Sequence, residues 1–137
     1  MAGVLAHWLM DVSQPMHCSI HILGWDASAG NPNEYTTDRG IHGRYETEYV
    51  EASIQLQDIT SRLKQPATAL GPWIEAMGPY IEACNSHVEQ IYRWDRANRF
   101  GSGHEPKEAK TFTAERLAEG AYMLRDAWYT CWIRSAK

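Results

Sequence analysis

Apolar residues recur along most of this chain with a helical period, and no stretch alternates apolar and polar residues as a half-buried strand would. The first run, from about Ala2 to Ser13, carries Val4, Leu5, Ala6, Trp8, Leu9, Met10 and Val12 on all sides of a helix, a pattern that predicts burial nearly all round. It ends before Pro15, since a residue preceding proline is pushed out of the α region. Cys18 to Gly40 reads as a long irregular connection rich in Gly, Asn, Asp, Ser and Thr. Loops of that length inside a compact domain are usually functional or disordered. Asp38 is a candidate N-cap for a second helix from about Arg39 or Gly40 to Leu63, ending near Pro66. A third helical region spans about Thr68 to Asn98, its first part broken into short turns by Pro72 and Pro79, with Tyr80, Ile81, Cys84, Val88, Ile91 and Tyr92 on one face. Residues 100–110 have loop composition. Thr113 then caps a last helix carrying Leu117, Ala121, Leu124, Trp128, Cys131 and Trp132 on one face. The expected architecture is all-α: a bundle of about four principal helices with a long loop between the first two.

Length and composition narrow this picture. The 137 residues suit about one domain, long enough to bury a real core. Six tryptophans and seven tyrosines against two phenylalanines suggest polar-tipped aromatics around a cavity without establishing one. A net charge of −4 argues against a broad electrostatic grip on nucleic acid, and no stable nucleic-acid complex is expected. It leaves room for a local cationic site or a metal. Cys18, Cys84 and Cys131 are too few and too scattered for a disulfide framework or a CxxC zinc site, and Cys84 and Cys131 read as free buried thiols. The N-terminal run lacks a basic start and is interrupted by His7 and Asp11, so it reads as neither a signal peptide nor a membrane span. If the natural protein is exported, its signal lies outside this chain.

Those two interruptions carry the chemistry. His7 and Asp11 stand four apart in HWLMDVSQPMH, on one helix face, and a carboxylate buried there must be paired or bind a metal. The second helix opens with IHGRYETEYVE, where His42 and Glu46 repeat the spacing. Pro15 stops the first helix just before His17, which can turn back toward the same cavity. The candidate set is therefore His7, Asp11, His17, His42 and Glu46, a mixture of imidazole and carboxylate that catalytic Zn²⁺ sites use. A histidine and an acid four apart arise often by chance as a plain salt bridge. The combination of a buried HxxxD, a QPxH directly after it and an HxxxE across a long loop is more specific.

HWLMDVSQPMH followed by HGRYETEYVE resembles the HxxGDxxQPxH and HxxxE motifs of the zinc-dependent phospholipase C superfamily, which also contains the fungal single-strand-specific nucleases. The resemblance implies a mostly helical fold, a trinuclear zinc cluster, hydrolysis of phosphodiesters and an exported protein. It makes His7 a ligand of the first zinc of a buried pair and Asp11 the bridge between the paired zincs, where it would also orient water for catalysis. It makes His17, His42 and Glu46 the protein ligands of the remaining zinc, the one zinc this chain is most expected to retain. The family's other ligands have no counterpart here: an N-terminal tryptophan amine with its nearby histidine, and an Asp and a His from the preceding half. The chain therefore resembles the C-terminal part of a larger domain, which an upstream polypeptide would complete. Glu46 and the apolar run after it lean toward the phospholipase branch, because the nucleases carry Asp in an NLHxxWD context. Headgroup-binding aromatics of the family lie upstream, so the substrate does not transfer.

The expected function is zinc-dependent hydrolysis of a phosphodiester, of phospholipid headgroup esters more than nucleic acid. Its rivals are a single-strand nuclease of the same superfamily and a helical metal- or partner-binding module without catalysis. Helical HD-type phosphohydrolases fit less well, for the chain has no adjacent His-Asp dyad. His21 and His104 read as solvated loop histidines, and His87 as a histidine at the edge of the core. Trp128, Tyr129 and Trp132 read as core contacts, and Arg93, Arg96 and Arg99 as a solvated helix end favoured by the macrodipole.

Overall fold

A computed structural model describes residues 2–63, 65–100 and 107–135, so His104 lies outside the described residues. The protein is all-α, and no strand occurs among the described residues. Helix α1 is Ala2–Asp11. A 3₁₀ turn, Pro15–Cys18, follows it. The next helix is one continuous rod made of α2 (Ile41–Gly43), a π-helical segment (Arg44–Tyr49) and α3 (Val50–Ser53). Beyond it come α4 (Leu56–Thr60), α5 (Trp73–Asn85), α6 (Val88–Arg96) and α7 (Lys107–Ser135). No described helix is long and apolar enough to cross a membrane.

The core forms where the helical rod, α6 and the start of α7 meet. Met16, Ile41, Tyr45, Tyr49, Val88, Ile91, Tyr92 and Ala109 are buried there together with Tyr35 from the long loop. That loop is ordered by its own turns. Gly24 adopts φ 93°, and a Cβ there would stand 2.4 Å from the Thr37 carbonyl oxygen, so only glycine lets the two arms of the loop approach. The Trp25 amide donates to the Thr36 carbonyl at 2.8 Å, and the Tyr92 hydroxyl donates to the His21 carbonyl at 2.6 Å, which ties the loop to α6. Arg96 holds the Asn33 carbonyl from the same helix, giving this member of the cationic ridge a structural partner.

Several sequence expectations change for identifiable reasons. Helix α1 packs mainly on α7, so one side is covered: Leu9 is 2% exposed, whereas Val4 and Trp8 are 65% and 70% exposed. Its apolar residues do not amount to burial all round. The expected second helix stops at Ser53, because Gln55 takes an extended conformation and its amide donates to the Asp58 carboxylate at 2.9 Å, starting α4 afresh. Pro79 lies inside α5 without breaking it. The break falls at Ser86 and His87, which separates Cys84 from Val88. Helix α7 begins at Lys107, since the Lys-Glu-Ala-Lys stretch is a strong helix former with an acid in the first turn. Thr113 is therefore no cap; it is buried mid-helix, its hydroxyl 3.4 Å from that of Tyr45.

The buried face of α7 is made of small residues: Ala109, Thr113, Ala114, Ala118, Gly120, Ala127 and Thr130. Trp128 and Trp132 are exposed instead, as is Cys131, while Cys84 is buried as expected. Gly120 explains the choice. A Cβ there would lie 2.8 Å from the Cβ and Oγ of Ser13 and 3.2 Å from the Met10 Cε, so the end of α1 and the residues after it seat their side chains against the bare Gly120 backbone. Gly120→Ala should thus destabilise the protein by about 1–3 kcal/mol through overpacking, whereas Gly43→Ala, with open space around it, should stabilise it by about 0.5–1 kcal/mol. Thermal unfolding of the two variants checks the opposite signs.

His21 yields a second expectation. Its ring stacks on Trp25 with centroids 3.7 Å apart, and its Nδ1 accepts the Asp26 amide at 2.9 Å. Burial lowers its pKa, and Asp26 only partly opposes this; His87 shifts the same way through burial first and Arg116 second. With the folded value below the ordinary 6.5, the unfolded chain binds more protons as the solution acidifies. The contribution is present above that ordinary value and lost as pH falls through the folded one. Urea unfolding in chelator should show lower stability at about pH 5.5 than at about pH 7.5, with a smaller drop in His21→Gln.

Candidate metal centre

Three chain segments bring His17, His42 and Glu46 together. Gln14 precedes the Pro15–Cys18 turn, and its side-chain carbonyl accepts the Met16 amide at 2.6 Å. Pro15 presets the first turn position, and Met16 sinks fully into the core, which leaves His17 facing outward at the edge. The same cap aims the Gln14 amide nitrogen at Glu46, where it donates to Oε2 at 3.2 Å. His42 sits on α2 and Glu46 in the π-helical segment, an arrangement often found at functional sites.

The distances are those of a coordination shell. His17 Nε2 lies 3.2 Å from His42 Nε2 and 3.2 Å from Glu46 Oε2, and His42 Nε2 lies 2.8 Å from the same oxygen. Around a tetrahedral ion with bonds of about 2.0–2.1 Å, neighbouring ligand atoms stand about 3.3–3.4 Å apart. The two 3.2 Å separations come close to that spacing, and the 2.8 Å between His42 and Glu46 would have to widen by about half an ångström for the three to share one face of such a tetrahedron. The histidine side chains are 19% and 21% exposed and Glu46 42%, so the fourth direction opens toward solvent.

Hydrogen bonding decides what sits between them. His42 Nδ1 lies 2.8 Å from the Ile22 carbonyl, and His17 Nδ1 3.1 Å from the Asp11 carbonyl. A carbonyl oxygen only accepts, so each ring carries its proton on Nδ1 and, when neutral, presents a bare lone pair at Nε2. Two such lone pairs and a carboxylate oxygen converge with no proton of their own to share. A cation resolves the conflict, either an added proton or a metal ion. Backbone carbonyls on the far ring nitrogens are the outer partners that metal-bound histidines take.

Asp11 and His7 stand beside this cluster. Asp11 Oδ1 is 3.6 Å from His17 Nδ1, and Oδ2 is 3.4 Å from His7 Nε2. Asp11 is half-exposed and His7 largely so, and among the described residues the cluster of ligand atoms within 4.8 Å of one another comprises His17, His42 and Glu46. The exposure of α1 thus removes the reason for expecting a buried carboxylate at Asp11, while its place next to His17 stands. Sequence reasoning quoted Gln14 within a motif but gave it no role, and the Ile22 carbonyl left no sequence signal at all.

Comparison with family models, curated proteins and solved structures gives no match. The centre is thus read from its own geometry. If the three residues hold a divalent metal ion, Glu46→Ala should abolish its stoichiometric uptake, measured by elemental analysis after dialysis against the metal. Gln14→Ala should keep the stoichiometry at saturating metal and weaken affinity by about 10–100-fold, the usual cost of losing an outer partner. Competition with a chromogenic chelator measures the second effect.

Proposed function

We propose that this chain carries a zinc centre of a phospholipase C-like phosphodiester hydrolase. The observation that carries the reading is the convergence of two imidazole Nε2 atoms and one carboxylate on an open position, with the far nitrogen of each ring on a backbone carbonyl. Two histidines and a glutamate form a known catalytic zinc combination. Zinc supplies Lewis acidity when bound, polarising a phosphoryl oxygen and lowering the pKa of water toward about 7. The protein's own groups do the rest. His17, His42 and Glu46 hold the centre, Gln14 keeps Glu46 turned toward it, and half-exposed Asp11 is placed to orient a water at its edge and to accept a proton.

A second reading, a metal-binding module without catalysis, is favoured by the exposure of His7 and its distance from the three-residue cluster. In the phospholipase-like reading, His7 and Asp11 belong to an adjoining metal pair. They supply one nitrogen and one shared carboxylate, short of the shells zinc prefers. Hydrolysis of bis-p-nitrophenyl phosphate by this chain alone should accordingly be near background. A polypeptide supplying further nitrogen and carboxylate ligands beside α1 should raise it by orders of magnitude, and Asp11→Ala should abolish the gain. Full zinc binding with no hydrolysis in any assembled form would establish the module instead.

A further inference from the structure

The fold brings two cysteines together that lie far apart in the chain. Cys18 closes the Pro15–Cys18 turn directly after His17, and Cys84 is the buried residue of α5. The Cys84 thiol hydrogen-bonds to the Cys18 sulfur, and the Cys18 thiol donates to the Val12 carbonyl at 3.4 Å. The backbones are fastened at the same place. Asn85, next to Cys84, donates its side-chain amide to the Cys18 carbonyl at 2.5 Å, and the turn packs along α5. Access to the two sulfurs differs. Cys84 is 2% exposed, whereas Cys18 is half-buried and lines a groove of about 700 Å³ with Ile20, His21 and Asn85. Cys131, on α7, is exposed.

We propose that Cys18 and Cys84 form a redox-active dithiol, which a low-molecular-weight disulfide oxidises to a bond that fastens the turn bearing His17 onto α5. Neither sulfur belongs to the ligand trio, so the inference stands apart from the metal reading. The exposed partner reacts first. The Cys18 thiolate attacks one sulfur of the oxidant, whose S–S bond breaks, and the departing half takes up the proton that Cys18 lost. The Cys84 sulfur then attacks that of Cys18, the protein disulfide forms, and the second half leaves with the Cys84 proton. Two electrons pass from the protein to the oxidant, which ends as two thiols. Burial keeps Cys84 from meeting the oxidant itself, which fixes this order. The bond closes a loop containing the long connection and the whole helical rod, and cross-links of long loops constrain the unfolded chain most. It holds the turn covalently where the packing of Met16 holds it otherwise.

The test equilibrates the full chain, with Cys131→Ser to remove the exposed thiol, in chelator and graded mixtures of reduced and oxidised glutathione. Acid quenching, alkylation, intact mass and peptide mapping then read the products. The folded chain should lose two hydrogens, keep no alkylatable thiol and yield one peptide pair joined through Cys18 and Cys84. In concentrated urea the same degree of linkage should need at least about a tenfold higher ratio of oxidised to reduced glutathione, because packing no longer holds the sulfurs together. Adding Cys84→Ser should trap one glutathione on Cys18. Adding Cys18→Ser instead should slow modification of Cys84 at least about tenfold relative to that trapping. Two thiols left unreacted in the folded chain, or a stable glutathione adduct on Cys18 with Cys84 present, would overturn the assignment, as would equal linkage in urea. If the Cys84→Ser chain does not fold, the peptide map of its parent decides alone.

Discussion

Met16 buries its side chain completely in the core it shares with Ile41 and Tyr45, and the geometry of the centre follows from that anchorage. The residues on either side have no freedom left. Gln14 is held two positions earlier as the cap of the turn, and His17 one position later is rotated away from the core toward the rod. Because Ile41 and Tyr45 belong to the same cluster, the rod that bears His42 and Glu46 is seated by the contact that seats the turn. Packing of ordinary apolar side chains thereby sets polar atoms to about 3 Å, without a direct covalent or metal link between the segments.

The cost of this arrangement is electrostatic. With both rings neutral, two Nε2 lone pairs and a carboxylate oxygen face one another, and among the described residues Gln14 donates to that oxygen. Such a cluster of acceptors is relieved by a cation, whether a proton or a metal ion.

The fold class, the long loop and the meeting of His17 with His42 and Glu46 were legible in the sequence because each rests on local signals: helical period, turn composition, a proline stop just before His17 and the i,i+4 spacing of His42 and Glu46. Tertiary choices were not. The apolar residues around α1 could not reveal that α7 would cover mainly one side of it, and Trp128 and Trp132 follow a helical stripe yet face solvent because Gly120 and the alanines of α7 draw α1 to a different face. Thr113 looks like a cap to any local rule, but the helix formers before it extend α7 past it.

Both imidazoles are oriented by main-chain oxygens, those of Asp11 and Ile22. Side-chain replacement at either position leaves the oxygen in place. The orientation of the rings is consequently shielded from most point mutations and vulnerable mainly to insertions, deletions or prolines that redirect the backbone. Drift in sequence can therefore erase every recognisable side chain around the ligands while the rings keep their aim, and in diverged copies of such a centre the spacing of the ligands and the lengths of the segments between them would outlast the identities of their neighbours.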